Sequence, residues 1–470
     1  MIQLTPEQFA IREHIINVDG IVLVSAGAGC GKTFLARQLV KTLNPKTTLY
    51  TAFNKAIIVD GAKAFASDRV QCKTLHALAY KYTQPTKDIR ALSYRDFPKN
   101  LSYKAKHDIK NAIEDFFVSA SEDMWDFFEE YFKDATSKKQ YTAVAINLIE
   151  QMLDKKLPWS FGFMLKYFHL LLVEKTITCK YDLVILDEIN DTTAVSLEIF
   201  KLIDAPKKVG LGEPHQAIYG FMNLVNGFEV LKDVPVFPLT NSFRCSIPIA
   251  KAIQNIMRSE MDKTFRFVGT EDPVTNGLEL YCTLTNAEIV RKVAQRIGRR
   301  EPFKLLRKPA DIFACSLAVL SASGGKKVYQ TQYKFLEDVY EDWVGFKEKD
   351  PSSKFFGYLM TELHDQEVHS AVRLLTYLRQ SGQNLFKIYE EVKGYKQTEE
   401  YTIATVYTAK GLEFETVELA DEFDASIVKV RAEGGITTEE QLGAYRCFYV
   451  ACSRAGKVLK NAHALAEKRL

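Results

Sequence analysis

The sequence predicts an α/β protein of two parallel-sheet units, each interrupted by a mainly helical insertion. Three observations predict it. Short apolar runs alternate with helix-length stretches, as in a parallel sheet with helical crossovers. A glycine-rich turn follows directly on the first of those runs. The alternation then starts again near residue 240. The 470-residue length agrees, since about 100–200 residues per domain gives three or four structural units.

The first strand is expected at Gly20 to Ser25, GIVLVS, with a helix over Thr33 to Leu43. TTLYTAF, residues 47–53, reads as the second strand. YDLVILDE (Tyr181 to Glu188) and KKVGLG (Lys207 to Gly212) read as the third and fourth. Residues 86–178 lie between the second and third and carry equal numbers of acids and bases. Their aromatics, Phe116, Phe117, Trp125, Phe127, Phe128, Tyr131 and Phe132, recur at three- and four-residue steps. That spacing fits helices packing a core of their own, with base stacking as the alternative. In the second unit, ADIFACSLAVLSA (Ala310 to Ala322) reads as a buried strand and the start of a helix. Thr402 to Ala409 and Glu415 to Asp421 read as further strands. SASGGKK (Ser321 to Lys327) reads as a linker into a polar, helical stretch. The expected domains are thus 1–85 with 179–240, an insertion at 86–178, 241–322 with 399–470, and a small insertion at 323–398.

Composition narrows the function classes. The chain is 47% apolar and 26% charged, which is ordinary for a globular protein and argues against a disordered or fibrous one. Its net charge of +3 neither demands nor excludes nucleic acid. Eight cysteines show no CxxC pair and the eight histidines no metal-spaced cluster, so reduced thiols and no zinc site are expected. No apolar run is long enough for a membrane span, and MIQLTPEQFAIREH lacks the basic and apolar regions of a signal peptide. A soluble, monomeric, cytoplasmic protein is expected, or a nuclear one in a eukaryote.

The strongest motif is AGAGCGKT, Ala26 to Thr33, directly after the first strand. Strand, glycine-rich turn and helix N-terminus in succession make a phosphate-binding loop. Gly27, Gly29 and Gly31, with Ala26, Ala28 and Cys30 between them, let backbone N–H groups surround anionic oxygens. The helix start adds its positive end. Lys32 reaches the β- and γ-phosphates, and the Thr33 hydroxyl holds Mg²⁺. LVILDE supplies the second half: Asp187 as Mg²⁺ partner and Glu188 as general base for an attacking water. Loop and acids together point to a P-loop protein that hydrolyses a nucleoside triphosphate with Mg²⁺.

The remaining motifs resemble those of the UvrD/Rep-like superfamily 1 helicases, in particular the helicase region of the F-box DNA helicases and small phage-type relatives. LTPEQ resembles the adenine-reading Q motif and places Gln8 on the base. TAFNKAI resembles the first DNA-contacting motif, with Phe53 and Asn54, and CKTLHALAY the next, with Thr74 and His76. LDEIND matches DExQD, except for Asn190 in place of Gln. GLGEPHQAIYGF resembles GDxxQxIYxFRG, with Glu213 for Asp and Met222 for Arg. It places Gln216 at the γ-phosphate and Tyr219 and Phe221 on DNA bases. LTNSFR implies Phe243 stacked on adenine and Arg244 as an arginine finger. TVYTAKGLEFETV implies Thr405 and Tyr407 on DNA, Gly411 near the phosphates and Glu413 on the ribose. YRCFYVACSRA implies Arg454 as a second arginine at the γ-phosphate.

The resemblance implies two RecA-like domains with ATP in the cleft between them. It implies an ATP-dependent helicase or translocase moving 3′→5′ on single-stranded DNA and acting at junctions with duplex. Alternatives are a translocase that unwinds poorly and a DNA-binding protein with a decayed ATPase. Replication, repair and recombination are the processes such an enzyme would serve. No F-box-like segment is expected in this chain.

Overall fold

A computed structural model describes residues 4–52, 55–65, 69–220, 223–347, 352–363 and 365–465. The chain divides into two units, Met1–Thr240 and Asn241–Leu470.

The first unit contains β1 (Gly20–Ala26), β2 (Thr48–Ala52), β3 (Val70–Cys72), β4 (Leu183–Asp187), β5 (Lys207–Gly212) and β6 (Val236–Leu239). They form one sheet in the order β3-β2-β4-β5-β1-β6, with every neighbouring pair parallel. All five residues of β2 and of β4 are buried, as expected for strands covered on both faces. Ser25 lies opposite Gly212, Leu211 opposite Asp187, and Asp187 opposite Ala52. That register aligns the carboxyl ends of β1, β2, β4 and β5 on one edge, where open α/β sheets bind ligands.

Helices Tyr103–Val118, Met124–Tyr131, Lys138–Leu153 and Phe161–Val173 lie between β3 and β4 in the chain. Their core is continuous with that of the sheet and joins Phe116, Phe128 and Phe163 to Leu186 and Ile199. Phe116, Phe117, Phe128 and Phe132 are buried, whereas Trp125 and Tyr131 remain 56% and 43% exposed. The aromatic repeat is therefore chiefly a packing signal.

The second unit opens with β7 (Asn241–Ser246) paired to β8 (Val268–Thr270). Its main sheet holds β9 (Glu279–Thr283), β10 (Lys304–Leu305), β11 (Tyr401–Thr405), β12 (Phe414–Leu419) and β13 (Ala455–Lys460). The order is β10-β11-β9-β12-β13, again all parallel. Two expectations are corrected. Thr402 to Ala409 is strand only as far as Thr405 and then turns into helix Val406–Ala409, capped by the Thr405 side chain. Ala310 to Ala322 contains no strand; it forms helices Pro309–Ile312 and Ala314–Ser323. A continuous apolar run does not reveal its period, and here alanine and serine, with Pro309 at the first helical turn, favour helix.

Helices Phe335–Lys347, Phe355–Glu362, Gln366–Gln380 and Leu385–Lys393 fill the later stretch. Leu336, Leu359, Ala371, Leu375 and Ile388 share one core with Val290, Ala318 and Ile403. Among the described residues, no helix is long and apolar enough to cross a membrane.

Candidate functional site

At the end of β1 the chain turns through Gly29 at φ +71° and Gly31 at φ +84°. Both lie in the left-handed region, where a Cβ is strained. Ala26, Ala28 and Cys30 are buried. The Gly27 N–H donates to the Leu239 carbonyl at 3.0 Å, which anchors the loop. Gly31 is the N-cap of helix Lys32–Leu43, and no side chain caps that end. The first-turn N–H groups are thus left for an anion. Thr33, in the same turn, is exposed.

The acids come from the neighbouring strands. Lys32 Nζ lies 2.5 Å from Glu188 Oε1, with both side chains 18% exposed. Glu188 sits at φ +54°, an uncommon backbone for a side-chain-bearing residue and one often found at functional turns. Asp187 Oδ1 accepts the Glu188 N–H at 2.9 Å, and Oδ2 accepts the hydroxyl of Tyr50. Glu213, just past β5, is buried as well. Burial opposes the charge of Lys32, but Glu188, Asp187 and Glu213 overcome it and hold its pKa above the ordinary value. Burial raises the carboxyl pKa of Asp187 and of Glu213.

One cation among three carboxylates leaves an excess of negative charge, which a divalent cation would relieve. Asp187 and Thr33 are the groups that would hold it. Among the described residues no cluster of three His, Cys, Asp or Glu forms a complete metal cage. Mg²⁺ typically takes one or two protein ligands and completes its octahedron with phosphate oxygens and water, so a hydroxyl and a carboxylate are enough protein groups for it.

Two of the three departures from the motif pattern, Asn190 and Glu213, are joined through the main chain; Met222 lies outside the described residues. Asn190 Oδ1 accepts the Glu213 N–H at 3.0 Å, while its Nδ2 donates to Asp191 at 2.9 Å. Gly212 permits the approach, since a Cβ there would stand 2.4 Å from Asn190 Oδ1. Gln216 is buried on the short helix Pro214–Gln216, and its N–H donates to the Glu213 carbonyl at 2.9 Å. Gln8 closes a capping box with Thr5, so its Oε1 is engaged on its own helix end.

The expected nucleic-acid contacts are dispersed. Thr74 caps helix Leu75–Thr83 through the Ala77 N–H. His76 lies next in that helix, its pKa lowered by burial. The ring of Phe161 meets it edge-on at 6.3 Å and is 57% exposed. Phe161 escaped the sequence reading, which assigned that insert's aromatics to a core. The available signal was its position: it opens a helix after the cap Ser160. Tyr80, on the helix of His76, is 55% exposed. Tyr219 is half-buried. Phe53, Asn54 and Phe221 lie outside the described residues.

In the second unit the residues expected at nucleotide gather around the start of β12. Arg244 Nη2 pairs with Glu413 Oε1 at 2.6 Å, and Nη1 donates to the Ser453 carbonyl at 3.3 Å. Its Nε is buried without a hydrogen bond. Arg454 is 2% exposed and donates to the carbonyls of Val450 and Leu412 at 3.1 and 3.3 Å. Phe243 is 47% exposed, and Gly411 turns at φ +88°. Thr405 is buried and caps the single turn Val406–Ala409. The hydroxyl of the half-buried Tyr407 accepts the Cys447 thiol at 3.7 Å.

A family model, the UvrD-like helicase C-terminal domain, matches residues 76–460. The chain belongs to the UvrD-like helicase family. This agrees with the motif reading. The phosphate loop precedes the matched segment and stands on its own geometry. F-box DNA helicase 1 of Gallus gallus is 25% identical over 510 aligned residues, covering 97% of this chain and 49% of the relative. F-box DNA helicase protein 1 of Schizosaccharomyces pombe is 27% identical over 283 residues, covering 53% of this chain and 32% of the relative. The chain thus spans half or less of the curated relatives it matches.

Proposed function

We propose that this UvrD-like chain is an ATP-dependent DNA helicase that translocates 3′→5′ on single-stranded DNA. The observation that carries the hydrolytic half is the 2.5 Å pairing of Lys32 with Glu188, beside Asp187 at the carboxyl edge of a parallel sheet. The loop amides and Lys32 hold the triphosphate. Asp187 and Thr33 would hold Mg²⁺, which would supply neutralisation of phosphate charge. Glu188 orients water and takes its proton, and Gln216 senses the terminal phosphate. Arg244 and Arg454 supply positive charge to the transferring group, a role worth roughly 10³–10⁵ in turnover where measured.

The names of the relatives support DNA as the track. Thr74 and His76, the exposed Phe161 beside His76, and the exposed Tyr80 one helical turn on from His76 offer polar and aromatic groups. Each base stacked on such an aromatic adds about 1–3 kcal/mol without sequence preference. Asn190 accepts the Glu213 main-chain N–H and so ties the end of β4 to the end of β5 beside the proposed nucleotide site.

The test compares ATP turnover with single-stranded DNA, duplex and RNA, followed by displacement of a strand from a 3′-tailed duplex. Stimulation by single-stranded DNA and displacement are expected. Stimulation without displacement identifies a translocase; no turnover under any condition overturns the reading.

A further inference from the structure

β2 presents Tyr50, 1% exposed, at the centre of a fully buried strand. A buried phenol needs a hydrogen-bond partner. Tyr50 lies opposite Ile185 of β4, and Asp187 stands two residues further along. The period of two in a strand puts Ile185 and Asp187 on one face. Two residues advance about 6.6 Å, so a side chain as long as tyrosine is needed to bridge the offset. The hydroxyl donates to Asp187 Oδ2 while the Glu188 N–H holds Oδ1 at 2.9 Å, so both carboxylate oxygens are anchored.

The other side of the ring faces helix Lys55–Phe65. A Cβ on Gly61 would stand 2.4 Å from Tyr50 Cε1, so that helix lies directly on the ring. Phe65 closes the packing with ring centroids 5.0 Å apart. The segment read as the first DNA-contacting motif runs from the end of β2 into this helix.

We propose that Tyr50 is a positioning residue that fixes Asp187 for the divalent cation and links it mechanically to helix Lys55–Phe65. The inference rests on the nucleotide-site reading above. A shift of the helix moves the ring, and the ring carries the hydroxyl that aims Asp187. DNA held at the first motif therefore adjusts the grip on the metal.

The test uses the full chain with Tyr50→Phe and Gly61→Ala. Binding of N-methylanthraniloyl-ADP is measured in EDTA and then across a Mg²⁺ titration. All three proteins should bind the analogue equally in EDTA. The Mg²⁺ concentration for half-maximal tightening should rise about tenfold in Tyr50→Phe, the usual cost of removing a group that orients a metal ligand. Gly61→Ala keeps the hydroxyl but displaces the ring; it should shift the same midpoint and reduce stimulation of turnover by single-stranded DNA. An unchanged midpoint in a folded Tyr50→Phe overturns the proposal. Should that variant not fold, an unchanged midpoint in Gly61→Ala does so. Wild-type protein that binds the analogue without any Mg²⁺ effect overturns the nucleotide-site reading instead.

Discussion

Lys32 and Arg454 are both largely buried cations near strand ends, yet the groups that orient them differ. Lys32 sits among Glu188, Asp187 and Glu213, so its charge is outweighed before any ligand arrives. Arg454 is oriented by the carbonyls of Val450 and Leu412. Its Nη2 also donates to the Ser453 hydroxyl at 3.3 Å. Arg244 is intermediate: it is paired to Glu413, whose side chain is 53% exposed. The difference teaches a division of labour. Carboxylates set the charge balance around Lys32, whereas main-chain carbonyls and the Ser453 hydroxyl orient the guanidinium of Arg454.

Lys32→Ala should produce the largest effect, a loss of at least about 10³-fold in DNA-stimulated turnover. Single-stranded DNA binding, read by fluorescence anisotropy, should stay within about threefold. Comparable turnover would remove the catalytic assignment and with it one side of the comparison.

The two arginines should separate next. Each alanine variant should lose about 10³-fold in turnover. Arg454→Ala also removes a side chain that is 2% exposed, with its bonds to the Val450 and Leu412 carbonyls, and should lower unfolding free energy by about 2 kcal/mol. Arg244→Ala should cost less than about 1 kcal/mol, because its carboxylate partner is half-exposed. Equal melting curves for both would erase the distinction between aimed and paired guanidinium.

Glu413→Gln tests the intermediate case. It frees Arg244 and weakens the proposed ribose contact, so KM for ATP should rise about threefold while kcat holds. A matching rise for 3′-deoxy-ATP would show that Glu413 acts through Arg244 rather than through the sugar.

The smallest effect concerns a buried carboxyl of the second unit. Burial pushes Glu422 up to about 7, against the N–H groups of Leu284 and Thr285 and the Thr285 hydroxyl. A raised carboxyl pKa means that the folded state holds the proton longer, so this contribution to stability fades as pH rises from about 4.5 through about 7. Glu422→Gln should flatten the melting temperature across that window; an unchanged slope would reject the assignment.

Much of this could be read along the chain. Lys207–Gly212 and the helix after the phosphate loop were recognisable because strand, turn and cap chemistry are local. Ala310 to Ala322 misled because an unbroken apolar run looks alike as strand or helix. Phe161 was missed because exposure is not a property of sequence. The contact of Asn190 with Glu213 was likewise hidden; the two residues are 23 positions apart and meet only because β4 and β5 are neighbours.

The order of residues alone settled the glycine-rich turn, the lysine that follows it and the acids ending an apolar strand, because each depends on neighbours a few bonds away. Folding had to choose which buried polar atom answers which. Tyr50 on Asp187, Arg244 on Glu413 and the single ammonium among three carboxylates all arise from strand order and register, and electrostatics in a dry interior acts through distance in space.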